Sequence, residues 1–205
     1  MSKKIFVLLG HPDKVNSSNA YFADQYEKGA REAGYEVRRT NISDLQFDPI
    51  MHDGYRKIQV LEPDLIKVQE DIKWAEHVVI FYPTWWSSMP ALLKGLFDRI
   101  WLPGFAYNFI KPTPEMGLMM RLKSKVSWIK RLTGRTGRIF ITSDTHPLIL
   151  RIMYGNTANI LKNAILGFGG IAPVKVLKIG PIKNITPEIK ESWGKVVYEI
   201  GKKGQ

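Results

Sequence analysis

Residues 78–107, VVIFYPTWWSSMPALLKGLFDRIWLPGFAY, constrain this chain more than any other stretch. The run 78–82 is apolar and rich in β-branched and aromatic residues, the composition of a strand buried on both faces. Pro83 has no N–H to give and ends the pairing. Thr84, Trp85, Trp86, Ser87 and Ser88 follow as a loop, and Pro90 sits where a first helical turn tolerates it. Residues 91–100 then carry Leu92, Leu93, Leu96 and Ile100 at helical spacing. A strand, a loop and a helix in that order put the loop at the strand's carboxyl end, where open α/β sheets bind ligands. The paired tryptophans have two readings. One is buried packing, common for Trp; the other is a wall for a planar aromatic ligand, with loop amides as donors.

The rest of the chain repeats the pattern. Residues 4–9 read as a first buried strand, broken by Gly10-His11-Pro12-Asp13. Asn16, Ser17, Ser18 and Asn19 supply helix caps before a helix over 20–33, which Gly34 stops. A strand, a loop of small hydroxyl and amide residues and a helix start can seat an anion on free amides and the helix dipole. Plain helix capping is the alternative. A second strand over 35–40, a turn-rich stretch from Asn41 and a helix over 61–74 lead to the central strand. Residues 137–142 read as a fourth strand followed by a loop, Ser143-Asp144-Thr145-His146-Pro147. A helix over 156–168, a fifth strand over 173–179 and a helix opened by Thr186-Pro187-Glu188 complete the chain. Five βα units predict a doubly wound parallel sheet with helices on both faces, order 2-1-3-4-5.

The length of 205 residues fits one domain, 1–205, with an insertion at about 111–136. Between residues 111 and 138 there are eight Lys or Arg and a single acid, Glu115. Leu118, Leu122, Val126, Ile129 and Leu132 lie at helical spacing, which predicts a basic amphipathic helix. Such a segment can lie on an anionic membrane, cover the site, meet a dimer partner, or pack on its own domain. The net charge of +11 suits phosphorylated cofactors or anionic lipid, and a solvated basic surface equally. There is no cysteine, which removes disulfides and thiolate catalysis. Histidines 11, 52, 77 and 146 lack metal-site spacing, so no metal is expected. No run reaches the ~20 apolar residues of a membrane span. No Gly-x-Ser-x-Gly elbow points to a hydrolase. A cytoplasmic protein that binds no nucleic acid is expected, with any peripheral contact with the inner face of the membrane made through the insertion.

The central segment closely resembles the signature of the NAD(P)H:quinone oxidoreductase family, flavoproteins of flavodoxin-like fold. The residues that carry the resemblance are Tyr82-Pro83-Thr84-Trp85-Trp86-Ser87-Ser88-Met89-Pro90-Ala91-Leu92-Leu93-Lys94-Gly95-Leu96-Phe97-Asp98-Arg99, then Gly104-Phe105-Ala106-Tyr107. The loop at 142–147 is similar to a branch, like modulator of drug activity B, that carries Thr-x-Asp-Thr-x-Pro before an Arg and a Tyr-Gly. The resemblance implies FMN, or alternatively FAD, with NAD(P)H as co-substrate and a quinone-like acceptor, in a ping-pong hydride transfer. It assigns the flavin phosphate to His11, Ser17, Ser18 and Asn19. It assigns the ring to Pro83, Thr84, Trp85, Trp86, Ser87, Thr142, Ser143, Asp144 and Thr145. Where many relatives carry Gly-Gly, this chain has Ser143-Asp144. A carboxylate beside N1 disfavours a reduced, anionic flavin, so loop amides or Thr145 are expected to face the ring. Tyr154 and His146 are the candidates for proton management, each with packing or a surface turn as the plainer role. Phe105 and Tyr107 would line a site shared across a homodimer. Two rival roles are a one-electron flavodoxin and, as the resemblance implies from some relatives, a flavin-binding ancillary subunit of a membrane potassium-efflux system.

Overall fold

The structure, a computed structural model, describes residues 2–57, 59–113, 116–117, 119–120, 124 and 127–205. In chain order its elements are β1 (Lys4–Leu9), α1 (Ser18–Glu32), β2 (Glu36–Asn41), α2 (Pro63–Trp74), β3 (His77–Pro83), α3 (Ala91–Ile100), β4 (Tyr107–Phe109), β5 (Trp128–Lys130), β6 (Thr136–Thr142), α4 (Pro147–Tyr154), a π-helical stretch Ile160–Gly167, β7 (Val174–Ile179) and α5 (Pro187–Lys202). Five strands pair in parallel in the order β2-β1-β3-β6-β7, the expected order 2-1-3-4-5 of the flavodoxin-like fold.

The alternation of side chains along each strand divides the core in two. Phe6, Leu8, Ile80, Tyr82, Ile139 and Ile141 face α2, α3 and the π-helical stretch. Ile5, Val7, Val79, Phe81 and Phe140 face α1 and α5, with the rings of Phe81 and Phe140 stacked at 4.4 Å. Each of these buried side chains contributes about 1.5–3 kcal/mol relative to exposure. Helices α1 and α5 touch backbone to backbone, because a Cβ at Gly29 or Gly201 would strike the other helix. Removing both Cβ atoms is what lets the two helices close over this face.

Three elements depart from the sequence reading. The expected amphipathic helix within 111–136 falls largely on positions outside the described residues, Leu118, Leu122 and Val126 among them. Its last two stripe positions are not helical: Ile129 lies in β5, which pairs antiparallel with β4, and Leu132 is buried in the core. The cause is aromatic packing. Trp128 stacks on Phe168 at 4.3 Å and donates Nε1–H to its carbonyl at 2.9 Å, which draws the strand onto the body. Residues 147–154, left without an element of their own, form α4. Its run PLILRIMY is only eight residues long and carries a single charge, Arg151, too short a stretch to establish a helical period. The helix expected over 156–168 is wound as a π-helix through most of its length.

Candidate functional site

The carboxyl ends of β1, β3 and β6 each release a loop, and the three loops meet. After β1, Asp13 folds the chain back on itself: its carboxylate accepts from the amides of Val15 and Asn16 at 2.9 and 2.8 Å. Ser17 caps α1, its Oγ accepting from the Ala20 amide at 3.1 Å and donating to the Asp13 carbonyl at 2.6 Å. The amides of Ser18 and Asn19 start the helix and have no intrahelical acceptor. Asn19 is buried, and its Nδ2 donates to Thr142 Oγ1 at 2.6 Å, which ties the first loop to the end of β6.

After β3, Trp85 to Ser88 make a tight turn closed by two backbone hydrogen bonds of 2.9 and 3.0 Å. Trp86 and Ser87 have φ of 50° and 61°, so both central residues are left-handed without being glycine. That conformation costs about 1–2 kcal/mol per residue, and such strain gathers at functional sites. It throws the Trp86 ring wholly into solvent and leaves Trp85 half exposed, against His11 edge-on at 5.8 Å. Burial pushes the His11 imidazole below its ordinary value despite the Asp13 charge. The pair is therefore not part of the buried core: Trp86 stands clear of it, and Trp85 packs edge-on against His11.

After β6, Ser143 is anchored: its amide donates to Ile179 O at 3.1 Å and its Oγ to Thr145 O at 2.7 Å. Gly180 beyond β7 allows this, since a Cβ there would sit 2.7 Å from Ser143 O. Asp144 and Thr145 face solvent at the rim.

These loops enclose two adjoining hollows. One, of about 210 Å³, is lined by His11, Ser17, Ser18, Asn19, Pro83, Thr84, Trp85, Thr142, Ser143 and Asp144. The other, of about 280 Å³, is lined by Thr84, Trp86, Ser87, Ser143, Asp144, Thr145 and Tyr154. Thr84, Ser143 and Asp144 border both, so the two form one crevice. Every residue assigned to the flavin by resemblance lies on it. Two buried oxygens there, Thr84 Oγ1 and Asn19 Oδ1, have no hydrogen-bond partner in the protein. An unpartnered buried polar atom costs about 1–3 kcal/mol, so the crevice is chemically incomplete and fits a polar, ring-bearing ligand. The sequence reading did not include Leu150 and Ile182, which add apolar wall; the Gly180-Pro181 pair just after the fifth strand is the signal that could have pointed to Ile182.

The remaining candidates lie elsewhere. His146 accepts from the Leu148 amide through Nδ1 at 3.3 Å as the cap of α4, and borders a separate recess with Arg151 and Lys178. Phe105 is buried against Trp101. Tyr107, ringed by Phe109 and Phe168 at 5.1 and 4.9 Å, lines a larger hollow, about 670 Å³, which shares no lining residue with the crevice. Burial, reinforced by Tyr55, raises the Tyr107 hydroxyl above its ordinary range.

Among known proteins, the sequence matches the family described as flavodoxin-like fold over residues 3–196. It is 30% identical over 105 residues to an uncharacterized NAD(P)H oxidoreductase of Haemophilus influenzae, which covers 50% of this chain and 52% of that protein. The chain thus spans about half the length of that relative. It is 22% identical over 215 residues to NAD(P)H dehydrogenase [quinone] 1 of Rattus norvegicus, covering 94% of this chain and 76% of that one. The fold superimposes on an FMN-dependent NADH-azoreductase from Bacillus anthracis, solved in complex with FMN, with a TM-score of 0.73, 17% identity and 99% of each chain covered.

Proposed function

We propose that this chain, which belongs to the flavodoxin-like-fold family, is a flavin-dependent NAD(P)H oxidoreductase that reduces a quinone-like acceptor, with FMN as its flavin and FAD as the alternative. The observation that carries the reading is the incomplete crevice: unfilled helix amides at one end, exposed indole rings at the other, and unpartnered Thr84 and Asn19 oxygens between them. A relative named for quinone reduction and a structural neighbour solved with FMN support it.

When bound, FMN supplies a ring that accepts hydride from NAD(P)H at N5 and releases it to a second substrate, in ping-pong order. The chain's own residues do the rest. The amides of Ser18 and Asn19, with the hydroxyls of Ser17 and Ser18, seat a phosphate at the positive end of α1. Asp13 occupies the Val15 and Asn16 amides, which keeps the seat to the helix side of the loop. Trp85 walls one side of the crevice and the exposed Trp86 ring stands at its rim, where stacking would hold donor and acceptor close. The Trp86 and Ser87 amides are freed by the left-handed turn to meet polar ring atoms. Tyr154 borders the crevice and is the residue positioned to exchange a proton with the acceptor, whereas His146 serves α4.

The hollow around Tyr107 and Phe109 gives a homodimer its face, with Phe109 64% exposed at the rim. A lipid-soluble acceptor fits with a cytoplasmic enzyme in peripheral contact with an anionic membrane; among the described residues no helix is long and apolar enough to cross one.

Titration of the apoprotein with FMN and FAD, followed by tryptophan quenching, tests the cofactor. Oxidation of NADH and NADPH in the presence of a simple quinone tests the activity. A preparation that neither quenches nor colours defeats the proposal. Flavin binding without turnover, together with capture of a potassium-efflux membrane protein, favours the ancillary-subunit role.

A further inference from the structure

The amino end of the sheet, opposite the crevice, holds another polar hollow, of about 190 Å³. Lys3, His77, Thr136, Lys175, Gly204 and Gln205 are among its lining residues. Strand register builds it. His77 pairs with Thr136 across β3 and β6, and Arg138 with Lys175 across β6 and β7. Side chains alternate along a strand, so these four share the face that Val79 and Phe140 present to α1 and α5. Lys3, just before β1, donates to the Gly204 carbonyl beyond α5.

The hollow is cationic, and its polar groups are not all met. His77 is only 3% exposed; its Nδ1 shares a hydrogen bond of 2.7 Å with Thr136 Oγ1, and its Nε2 has no partner. The Gln205 main chain lies near enough to favour a charged ring but makes no hydrogen bond to Nε2. Burial, and then the charges of Lys3, Arg138 and Lys175, hold the imidazole neutral. Arg138 is itself buried with an unpartnered Nε, and from α1 the buried Tyr26 hydroxyl, which bears on Arg138, is unpartnered too. No Asp or Glu lines the hollow. Glu76, next to His77 in the chain, accepts from the Lys4 amide at 2.9 Å and acts on Lys3. Three cations thus surround one neutral histidine, and a buried nitrogen stays unmet until a ligand or water reaches it.

We propose that this hollow binds a small inorganic oxyanion of the sulfate or phosphate class, and that His77 takes up a proton from solvent as the anion enters. An anion against Nε2 favours the imidazolium, and the ring's second N–H then has an acceptor. A tetrahedral oxyanion offers acceptors enough for Nε2, Lys3 and Lys175 together, each bond strengthened by charge. A water meets one orphan atom but leaves three like charges uncompensated. No Phe, Tyr or Trp lines the hollow, so nothing there holds a nucleotide base and the ligand is the free ion. The site shares no lining residue with the crevice and stands apart from the proposed function.

The test is a titration of the full chain with sodium sulfate, whose charge is constant over the range used, at ionic strength held fixed with sodium chloride. Histidine Cε1–H resonances locate the ion: those of His77, identified by their loss in His77→Gln, move and saturate. Affinity rises by about fivefold or more between about pH 7 and about pH 5.5, because each ion brings a proton to His77. Lys175→Gln weakens binding by about fivefold or more. Its side chain is exposed, so the melting temperature stays near the parent value and reports folding. His77→Gln removes the pH dependence. Sulfate that moves His11 in place of His77 puts the ion in the crevice and overturns the proposal. So does equal affinity at the two pH values, or unaltered binding by Lys175→Gln. A His77 ring already charged at about pH 5.5 without sulfate overturns it as well, since the chain then supplies its own anion.

Discussion

The crevice and the large hollow around Tyr107 differ in how they are made. The crevice comes from three loops at neighbouring strand ends, each held by short-range contacts: Ser17 on its own helix start, Trp85 on Ser88, Ser143 on Thr145. Its walls mix hydroxyls, amides and indoles, and it leaves buried oxygens unpaired. The large hollow, about 670 Å³ against about 210 and 280 Å³ for the two parts of the crevice, is chiefly apolar, lined by Met51, Phe97, Trp101, Tyr107 and Phe168 among others, from stretches far apart in sequence. It is pinned by one buried cation. Arg99 donates to the carbonyls of Asp48 and Val60 and to Glu62 at 2.8 Å, stapling the 48–62 stretch to α3. Burial works against Glu62's charge, yet the Asp48 amide and Arg99 hold its carboxyl below the usual range. Size and apolarity alone would select the larger hollow; placement at the strand ends and unsatisfied polarity select the crevice.

If the two regions are independent, substitutions should separate them. Arg99→Met removes the staple and leaves three acceptors unmet, and should lower stability by about 3–5 kcal/mol in urea unfolding. The folded fraction should still bind FMN with its parent affinity; a parallel loss of flavin binding would merge the two regions. Ser18→Glu should do the opposite. A carboxylate facing the phosphate seat weakens FMN by about 100-fold, read by fluorescence titration, while the urea midpoint scarcely moves. An unchanged flavin affinity would remove the first loop from the site.

A third measurement probes the sheet that carries both regions. His77, at the amino end of β3, has its imidazole pushed down to about 3 by burial and by the charges of Lys3 and Arg138, against an ordinary 6.5. Between those values the unfolded chain is protonated and the native chain is not. Stability is therefore complete above about pH 6.5 and falls with pH by about 1.4 kcal/mol per unit, or about 2 kcal/mol at pH 5. His77→Gln should flatten that part of the profile. A slope that persists in the variant assigns the effect elsewhere. The smallest expected effect is Ser87→Gly, which relieves one left-handed residue and should raise stability by about 0.5 kcal/mol, the relief being partly offset by a more flexible unfolded chain. A loss of stability would mean that the Ser87 side chain holds the turn.

Much of the crevice was legible because its parts are local. Pro83 ending a buried run, Pro90 opening a helix, and Ser and Asn before residue 20 are signals that a few residues carry by themselves. The strand order followed from five such units read as a doubly wound sheet of the flavodoxin type. The strained turn at Trp86 and Ser87 was not legible, since neither residue announces a positive φ. Nor was α4, because eight residues with one charge, Arg151, are too few to show a period. The 128–132 segment failed for a different reason: its apolar spacing suited a helix, and Trp128 found a better partner in Phe168, forty positions away.

The sequence by itself determined the layers, the strand order and the three loops that meet, because burial periodicity and turn chemistry act over a few residues. Only the tertiary structure decided which side of α4 each residue serves, sending Tyr154 to the crevice and His146 and Arg151 away from it. Only it could show that Tyr107 opens on a different hollow. Those outcomes depend on contacts between residues distant in the chain, where packing of whole side chains overrides any preference a short stretch carries.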